Sequence, residues 1–309
     1  MASERISVLL KNPFAIYKWL TFKGFTDVVP DRVHLQLLYK ARVGNFANLK
    51  EPVTFNEKLQ WLKLHDHNPL YNTLVDKYAV KDWVSQRIGA EYVTRTYGAW
   101  ESPEQIDLNT LPDQFVLKTN HDCGGIVICS NRATFDFDSA RKLISDHLKR
   151  NYYWGCREWP YKDVKPLVFA EEFLSPEERF DEPVDLADYK VMCFNGEPKL
   201  IQVHHGRRTF HTQDFYDTQW NRLVMVQDAL PMAKSGDERP SQLEKMLELS
   251  RVLSAGIAHV RVDWYIVRGK LLFGEMTLYD AGGFGAFDNP ADDRRLGEWI
   301  DLSLAYGPR

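Results

Sequence analysis

Long apolar runs are absent from this sequence of 309 residues: none approaches the roughly 18 residues that are needed to span a bilayer. We therefore expect a soluble protein. Cysteine is scarce as well, and no two cysteines form a C-x-x-C pair or follow the spacing of zinc ligands. The four are Cys123, Cys129, Cys156 and Cys193. Because no secretory signal pattern is found either, we expect reduced thiols and a cytoplasmic location.

Neither sign of charge dominates the composition. Lysine and arginine number 39 against 43 aspartates and glutamates, which leaves a net charge of -4 and a pI near 6.2. Duplex nucleic acid usually requires a basic excess, so we expect no nucleic-acid partner. The phosphate fingerprints G-x-x-x-x-G-K-S/T and G-x-G-x-x-G and the zinc motif H-E-x-x-H are also missing. Any nucleotide or metal site must therefore be assembled from separate segments.

The spacing of apolar residues changes along the chain. Up to about residue 90 it has the helical period, with Asp31 as a predicted N-cap and Gly89 as a predicted C′ glycine. From residue 91 onward short strands dominate. The predicted helices lie from 31 onward, from 54 onward, and at about 74 to 89, 139 to 150 and 240 to 257. Antiparallel hairpins that alternate with single helices predict an α+β fold.

The segment from 259 to 277 is predicted to form a β-hairpin that sets two carboxylates face to face. Its break at 268 to 270 fits a three-residue loop with a central glycine. Because strand side chains alternate, counting outward from this loop by twos gives the pairs on one face. They are Val267 with Leu271, Tyr265 with Phe273, Asp263 with Glu275, and Arg261 with Thr277.

The facing carboxylates Asp263 and Glu275 predict a metal site. Like charges directly opposed in a sheet are destabilising unless something neutralises them. Oxygen ligands suit a hard ion that keeps several waters and shares a phosphate, which favours Mg²⁺, or Mn²⁺, over zinc. Arg261 beside them would hold a phosphate oxygen. The alternative is a plain surface hairpin, because a two-residue turn would place the two acids on opposite faces.

Two strand lysines accompany a glycine-bearing loop. Lys118 ends a predicted strand, and the loop after it contains Gly124 and Gly125, where backbone amides can approach a phosphate closely. A structural hairpin would explain the same glycines. Lys190 lies on a later strand, before the hairpin signal Asn195-Gly196.

An apolar strand at about 166 to 172 ends in two acids, Glu171 and Glu172. Adenine is often read by the backbone at a strand end together with one acceptor. Glu171 and the backbone of Phe173 and Leu174 are therefore candidates for adenine binding.

The order of these segments resembles the ATP-grasp superfamily, and in particular its teichuronopeptide-biosynthesis, TupA-like, branch. The resemblance covers about residues 30 to 285. It implies an ATP-grasp fold, with a helical N-terminal region at 1–90, a first lobe with the glycine loop at 91–175 and a second lobe at 176–309, the two lobes clasping ATP. The matching segments are 54–61, 76–78, 115–118, 123–125, 171–172, 188–190, 261–263 and 273–277.

The resemblance also implies roles for individual residues. Lys118 and Lys190 would contact ATP phosphates, and Arg261 with Lys190 would act in catalysis. Asp263 and Glu275 would bind one or two Mg²⁺ ions. ATP would further be held by Gly124, Gly125, Glu171, Glu172, Phe173 and Leu174, with Glu178 or Asp185 at the ribose. Superfamily members commonly have Asn two residues after the metal glutamate, where this chain has Thr277, so a second metal is in question.

The implied reaction joins a carboxylate to an amine. ATP would form an acyl phosphate, and the branch suggests that an amino acid and a uronic acid, or another carboxylated sugar or glycan, are joined in surface polysaccharide synthesis. Substrate candidates are His204, His205, Arg207, Arg208, Gly282 and Gly283. A mobile basic loop and a structural turn are the alternative readings of these two groups.

The sequence also suggests two alternative activities and one candidate contact surface. Asp136-Phe137-Asp138 has the D-x-D pattern of nucleotide-sugar glycosyltransferases, although Asp138 also fits a helix N-cap. A small-molecule kinase could use the same fold. Residues 1–25 are basic and aromatic, which suggests either peripheral contact with the inner face of a membrane or packing on the protein's own surface.

Overall fold

The structure, a computed structural model, describes residues 14–175, 187–206 and 210–306. Its α-helices are α1 Phe14–Phe22, α2 Asp31–Val43, α3 Phe55–His65, α4 Leu70–Val75, α5 Ala79–Ile88, α6 Phe137–Leu148, α7 Tyr153–Cys156, α8 Leu243–Ser254 and α9 Pro290–Glu298. Its strands are β1 Thr96–Trp100, β2 Phe115–Thr119, β3 Ile126–Cys129, β4 Val168–Glu172, β5 Asp188–Phe194, β6 Glu197–His205, β7 Thr212–Tyr216, β8 Arg222–Leu223, β9 His259–Val267 and β10 Lys270–Thr277.

The strands form two antiparallel sheets. The first sheet has the order β1-β4-β2-β3, and the second has the order β10-β9-β5-β6-β7-β8. Every neighbouring pair in both sheets is antiparallel. The predicted α+β fold is confirmed. Among the described residues, no helix is both long enough and apolar enough to cross a membrane.

The large sheet separates a core from a polar face. On β9, Val260, Val262 and Trp264 are fully buried in the main apolar cluster. Burial of each such side chain contributes about 1.5–3 kcal/mol to stability. Arg261 and Asp263 alternate with them and therefore project from the other face. Because one face of β9 packs in the core, the charged side chains of Arg261 and Asp263 are held on the opposite face of the sheet.

The N-terminal helices share this core. Phe55 and Leu59 of α3 and Val84 of α5 have no exposed surface, and they belong to the same cluster as the large sheet. The start of α3 is a capping box: the Thr54 hydroxyl accepts from the Glu57 N–H at 3.3 Å, and the Glu57 carboxylate accepts from the Thr54 N–H at 3.2 Å. The predicted start of this helix is confirmed.

Two predicted helix details are wrong. The helix predicted from about 74 to 89 is interrupted, because Asp76 turns the chain and accepts from the N–H groups of Tyr78 at 2.9 Å and Ala79 at 3.0 Å. Asp31 does not cap α2, since Pro30 occupies the N-cap position. Asp31 instead accepts from the Tyr153 hydroxyl at 2.6 Å.

Candidate active site

The turn of the β9–β10 hairpin has two residues, and the predicted three-residue loop is wrong. Arg268 and Gly269 form it with φ of 52° and 74°, and Val267 pairs with Lys270. Two consecutive residues with positive φ match the right-handed twist of the strands. With this turn alone, Asp263 and Glu275 would lie on opposite faces.

A β-bulge reverses that outcome. The register shifts between Phe273 and Met276, so that Gly274 and Glu275 together lie opposite the single residue Asp263. Glycine suits the bulge, because a Cβ on Gly274 would lie 3.1 Å from the Asp263 carbonyl oxygen. Beyond the bulge Arg261 pairs with Thr277, as predicted.

Asp263 is held between two cations. The Arg261 guanidinium donates to both of its carboxylate oxygens, from Nε at 2.7 Å and from an Nη at 2.8 Å, and Lys190 contacts the same carboxylate. Lys190 is opposite Asp263 in the β5–β9 ladder and also contacts Asp188 at 3.0 Å. Burial of Asp263 opposes ionisation, but Arg261 and Lys190 outweigh it and lower the pKa of this carboxyl.

Arg261 brings the other predicted ligands together. Its guanidinium contacts Glu275 at 3.5 Å and donates to the Thr277 hydroxyl at 3.0 Å. The other terminal nitrogen, Nη1, donates to Asp280 at 2.6 Å. Burial would lower the pKa of Arg261, but Asp263 and Asp280 raise it, so the group stays charged.

The first sheet contributes a second charged cluster around Glu171. Its carboxylate accepts from Lys81 at 2.6 Å and from the Thr94 hydroxyl at 3.1 Å, and it contacts Lys118 at 2.5 Å. Burial alone would raise the pKa of Glu171, whereas Lys118 and Lys81 lower it to about 2. The carboxylate predicted for adenine is therefore paired with lysines in this structure.

Two functional candidates were missed by the sequence analysis. Lys77 donates to the Asp122 carbonyl oxygen at 2.7 Å and lies 3.8 Å from Glu275, and Lys81 binds Glu171. The motif at 76 to 78 was noticed, but no role was assigned to its lysine. The signal that could have revealed both is their spacing of four residues, with Lys77 in the turn before α5 and Lys81 in the first turn of that helix.

The glycine loop between β2 and β3 is tightly constrained. A Cβ on Gly125 would lie 1.9 Å from the Thr119 hydroxyl oxygen, so the backbone conformation requires glycine. Gly124 has a φ of 94°. Asp122 of the loop is fixed by a contact with His147 of α6. The loop is thus a preformed backbone surface beside Lys118.

The two clusters act on each other across the gap between the sheets. The charge of Lys118 is favoured mainly by Glu171, which outweighs burial and raises the pKa of Lys118. Glu275 and Asp188 of the second sheet add to this effect. Cations and acids of the two sheets therefore lie close enough for their charges to interact.

The oxygen donors of the second sheet suit Mg²⁺. Asp263 and Glu275 provide carboxylates and Thr277 a hydroxyl, and all three converge on the Arg261 guanidinium. Within the part of the chain that the structure describes, no group of three or more His, Cys, Asp or Glu side chains forms a complete metal site. This donor set fits an ion that completes its shell with water and phosphate oxygens.

The two predicted substrate histidines have different partners. His204 contacts His211 at 2.9 Å, and His205 contacts Asp237 at 2.7 Å. Both residues are at the end of β6. Arg207 and Arg208 lie outside the described residues, as do Glu178 and Asp185.

Gly282 and Gly283 form a turn that the N-terminal region holds. The Gly282 carbonyl accepts from Lys63 at 2.6 Å, and the Gly283 carbonyl accepts from Gln60 at 2.5 Å. Both glycines have positive φ, 64° and 67°.

The residues predicted to bind adenine follow β4. Glu172 is exposed, and Phe173 and Leu174 are half-buried.

The D-x-D pattern belongs to the start of α6. Asp136, rather than the predicted Asp138, is the N-cap, and its carboxylate accepts from the Ser139 N–H at 3.0 Å. The Asp138 side chain is 98% exposed and contacts Arg141 at 3.9 Å. Both aspartates are thus accounted for by the helix.

Comparison with solved structures finds several enzymes. D-alanine–D-alanine ligase from Bacillus anthracis, complexed with ATP, is 16% identical to this chain, with a TM-score of 0.39. The match covers 76% of this chain and 64% of that ligase. The Helicobacter pylori ligase is 10% identical with a TM-score of 0.41, covering 80% of this chain and 69% of its own. The ATP-grasp ligase PsnB with minimal precursor, Mg and ADP is 9% identical with a TM-score of 0.38, covering 72% and 57%.

Comparison of the sequence with curated proteins and with family models gives different results. No curated protein matches this chain. A family model described as TupA-like ATPgrasp matches residues 57–301, which contain both charged clusters, the glycine loop and the β9–β10 hairpin. The match confirms the resemblance drawn from the motifs, and the chain belongs to the TupA-like ATP-grasp family.

Proposed function

We propose that this protein is an ATP-dependent ligase that joins a carboxylate to an amine through an acyl phosphate. In this reaction a carboxylate oxygen attacks the γ-phosphorus of ATP and ADP leaves. The amine nitrogen then attacks the acyl carbon, phosphate leaves, and an amide remains. The observation that carries the proposal is the proximity of two charged clusters, the Glu171 lysines on one sheet and Arg261, Asp263 and Glu275 on the other.

Positioning and charge neutralisation are the main tasks in phosphoryl transfer, and the two charged clusters offer groups for both. Lys118 and Lys190 would hold phosphate oxygens from the two sheets, and Arg261 would steady the transferred phosphoryl group. When bound by Asp263, Glu275 and Thr277, Mg²⁺ would neutralise charge on the phosphates. A nucleophilic side chain is not required, since the substrate carboxylate attacks ATP itself.

We propose an amino acid and a uronic acid, on a sugar or glycan, as the joined substrates. What supports this is a row of buried amide side chains that continues from the Arg261–Asp280 pair. Gln227 donates to Asp280 at 3.1 Å, Gln202 donates to it at 3.3 Å, and Gln213 donates to Gln227 at 3.4 Å. Amides offer both donors and acceptors, as sugar hydroxyl groups require.

Trapping with hydroxylamine tests the ligase activity. With Mg-ATP, hydroxylamine and glucuronate or galacturonate, we expect a hydroxamate and an equal amount of ADP, because hydroxylamine intercepts an acyl phosphate. A kinase would instead release a phosphorylated product that hydroxylamine leaves intact. ATP that stays intact with every carboxylate, together with release of a nucleoside diphosphate from a nucleotide sugar, would refute the ligase.

We further propose that the N-terminal segment contacts a membrane surface. Residues 1–13 of the predicted segment lie outside the described residues, but α1 and the turn after it expose large apolar side chains. Trp19 is 55% exposed, Phe22 is 84% exposed and Phe25 is 66% exposed. Lys18 and Lys23 lie among them, which suits an interface with anionic lipid.

Charge reversal within this surface tests the contact. The double variant Trp19→Glu, Phe22→Glu should sediment with phosphatidylglycerol vesicles several-fold less than the parent protein, because it loses apolar insertion and gains repulsion. Hydroxamate formation should not change. Val224→Glu, at a residue that is 89% exposed, is the matched control and should bind as the parent does. Equal sedimentation of all three proteins would refute the contact.

A further inference from the structure

Glu158 is a largely buried acid beside the proposed site. It is 4% exposed and follows Arg157, whose φ of 54° turns the chain sharply after α7. Among the residues that the structure describes, its carboxylate makes no hydrogen bond and no ion pair. The buried acids Asp263 and Asp280, by contrast, both contact Arg261. A buried acid without a partner is costly, which points to a missing ligand.

Cations surround Glu158 but are committed elsewhere. Lys63, Lys77 and Arg261 all act on its charge. The Lys63 ammonium donates to the Gly282 carbonyl at 2.6 Å, to the Cys156 carbonyl at 2.8 Å and to Gln60 at 3.0 Å, so its three protons are used. Burial, which these cations only partly oppose, raises the pKa of Glu158 to about 7.

Glu158 lies close to α3, because Lys63 of that helix donates to the Cys156 carbonyl two residues before it. Lys63 belongs to α3, Lys77 precedes α5 beside the glycine loop, and Arg261 and Glu275 belong to the proposed phosphoryl-transfer cluster. A substrate that binds Glu158 would therefore lie near the site where the proposed acyl phosphate forms.

Two phenol rings accompany the carboxylate. Tyr152 and Tyr161 are half-buried, and their ring centroids are 4.9 Å apart in an edge-to-face arrangement with an interplanar angle of 64°. Glu158 is the main cause of the raised pKa of Tyr152, and after burial it is the largest cause of the raised pKa of Tyr161. A carboxylate beside aromatic rings is a typical receptor for an organic ammonium group.

We propose that Glu158, Tyr152 and Tyr161 form the subsite for the ammonium group of the amine substrate. This inference rests on the proposed ligase function, since it places the second substrate beside the proposed acyl phosphate. A bound ammonium group would favour the ionised form of Glu158, which repels a carboxylate or phosphate. The cations Arg261 and Lys118 would take those anionic groups instead, so Glu158 would separate the amine position from the two anionic positions.

Direct binding of propylammonium, a minimal ammonium probe, tests the subsite without catalysis. Saturation-transfer NMR should show binding to the parent protein that Glu158→Gln weakens at least 10-fold. Tyr161→Leu, which keeps the carboxylate, should weaken it less. Glu51→Gln changes an exposed acid and should have no effect. Equal binding by the parent and Glu158→Gln, or equally strong binding of uncharged propanol, would overturn the inference.

Hydroxylamine, which is mostly uncharged at neutral pH, separates this inference from the ligase proposal. Its conversion to hydroxamate should stay within twofold in Glu158→Gln, whereas the propylammonium concentration that halves this conversion should rise at least 10-fold. A hydroxamate rate that falls as far as ammonium binding does would assign Glu158 to the ATP half and overturn the subsite. If the parent makes no hydroxamate, the ligase proposal fails, and the binding experiment still decides the subsite.

Discussion

Replacing Glu275 by glutamine is expected to lower kcat for ADP release by about three orders of magnitude. The substitution keeps the shape of the side chain but removes one of the two carboxylates that would hold Mg²⁺ against the phosphates. Glu275 is on the β-bulge and its side chain is 37% exposed, so folding should survive. Steady-state rates over a Mg²⁺ titration measure the effect, and higher Mg²⁺ should restore only part of the rate.

The matched control is Asp136→Ala, at the other acidic motif. Asp136 caps α6 through its bond to the Ser139 N–H, so its loss should cost about 1 kcal/mol of stability and leave kcat within a few-fold. Loss of activity in Asp136→Ala with normal activity in Glu275→Gln would contradict the proposed site and favour the glycosyltransferase.

Glu171→Gln is expected to lower the free energy of unfolding by about 3 kcal/mol at pH 7. The ordinary glutamate pKa of 4.5 is lowered to about 2 in the fold, which corresponds to about 3 kcal/mol. The variant leaves Lys81 and Lys118 without their buried anion, and breaking such a pair is strongly destabilising. Urea denaturation at constant temperature measures the change.

The same pair predicts a definite pH dependence. Because the pKa of Glu171 is lower in the folded state, its stabilisation is fully present above the unfolded value of 4.5 and is lost as the pH falls towards about 2. The difference between the parent and Glu171→Gln should therefore shrink to about half or less at pH 3. Glu172→Gln, at the exposed neighbour, is the control and should show no such trend. If the difference in the free energy of unfolding stayed constant from pH 7 to pH 3, the lysines would not lower the pKa of Glu171.

Local features of this protein could be predicted wherever neighbouring residues decide them. Asn195-Gly196 makes a tight turn with φ of 53° and 82°, and the capping box at Thr54 forms as its spacing indicates. The alternation of β9 placed Arg261 and Asp263 on one face because strand side chains alternate whatever surrounds them. The order of lysines and acids along the chain was enough to identify the family, which the family model confirms.

Long-range contacts decided the rest. The predicted turn of the β9–β10 hairpin was wrong, yet the extra residue at the bulge restored the pairing of Arg261 with Thr277. The isolated glycine at 274 is typical of a bulge, but it does not fix how the two strands pair.

By itself, then, the sequence determined the family, the α+β class and which charged residues share a strand face, because these follow from residue order and backbone alternation. Only the tertiary structure decided how those charges are paired. Lys81 meets Glu171 across 90 positions, and Lys63 is bound by carbonyls 93 and 219 positions away, while Glu158 has no bonded partner in the part of the chain that the structure describes. Such pairings depend on burial and packing between distant segments, which single-residue patterns do not encode.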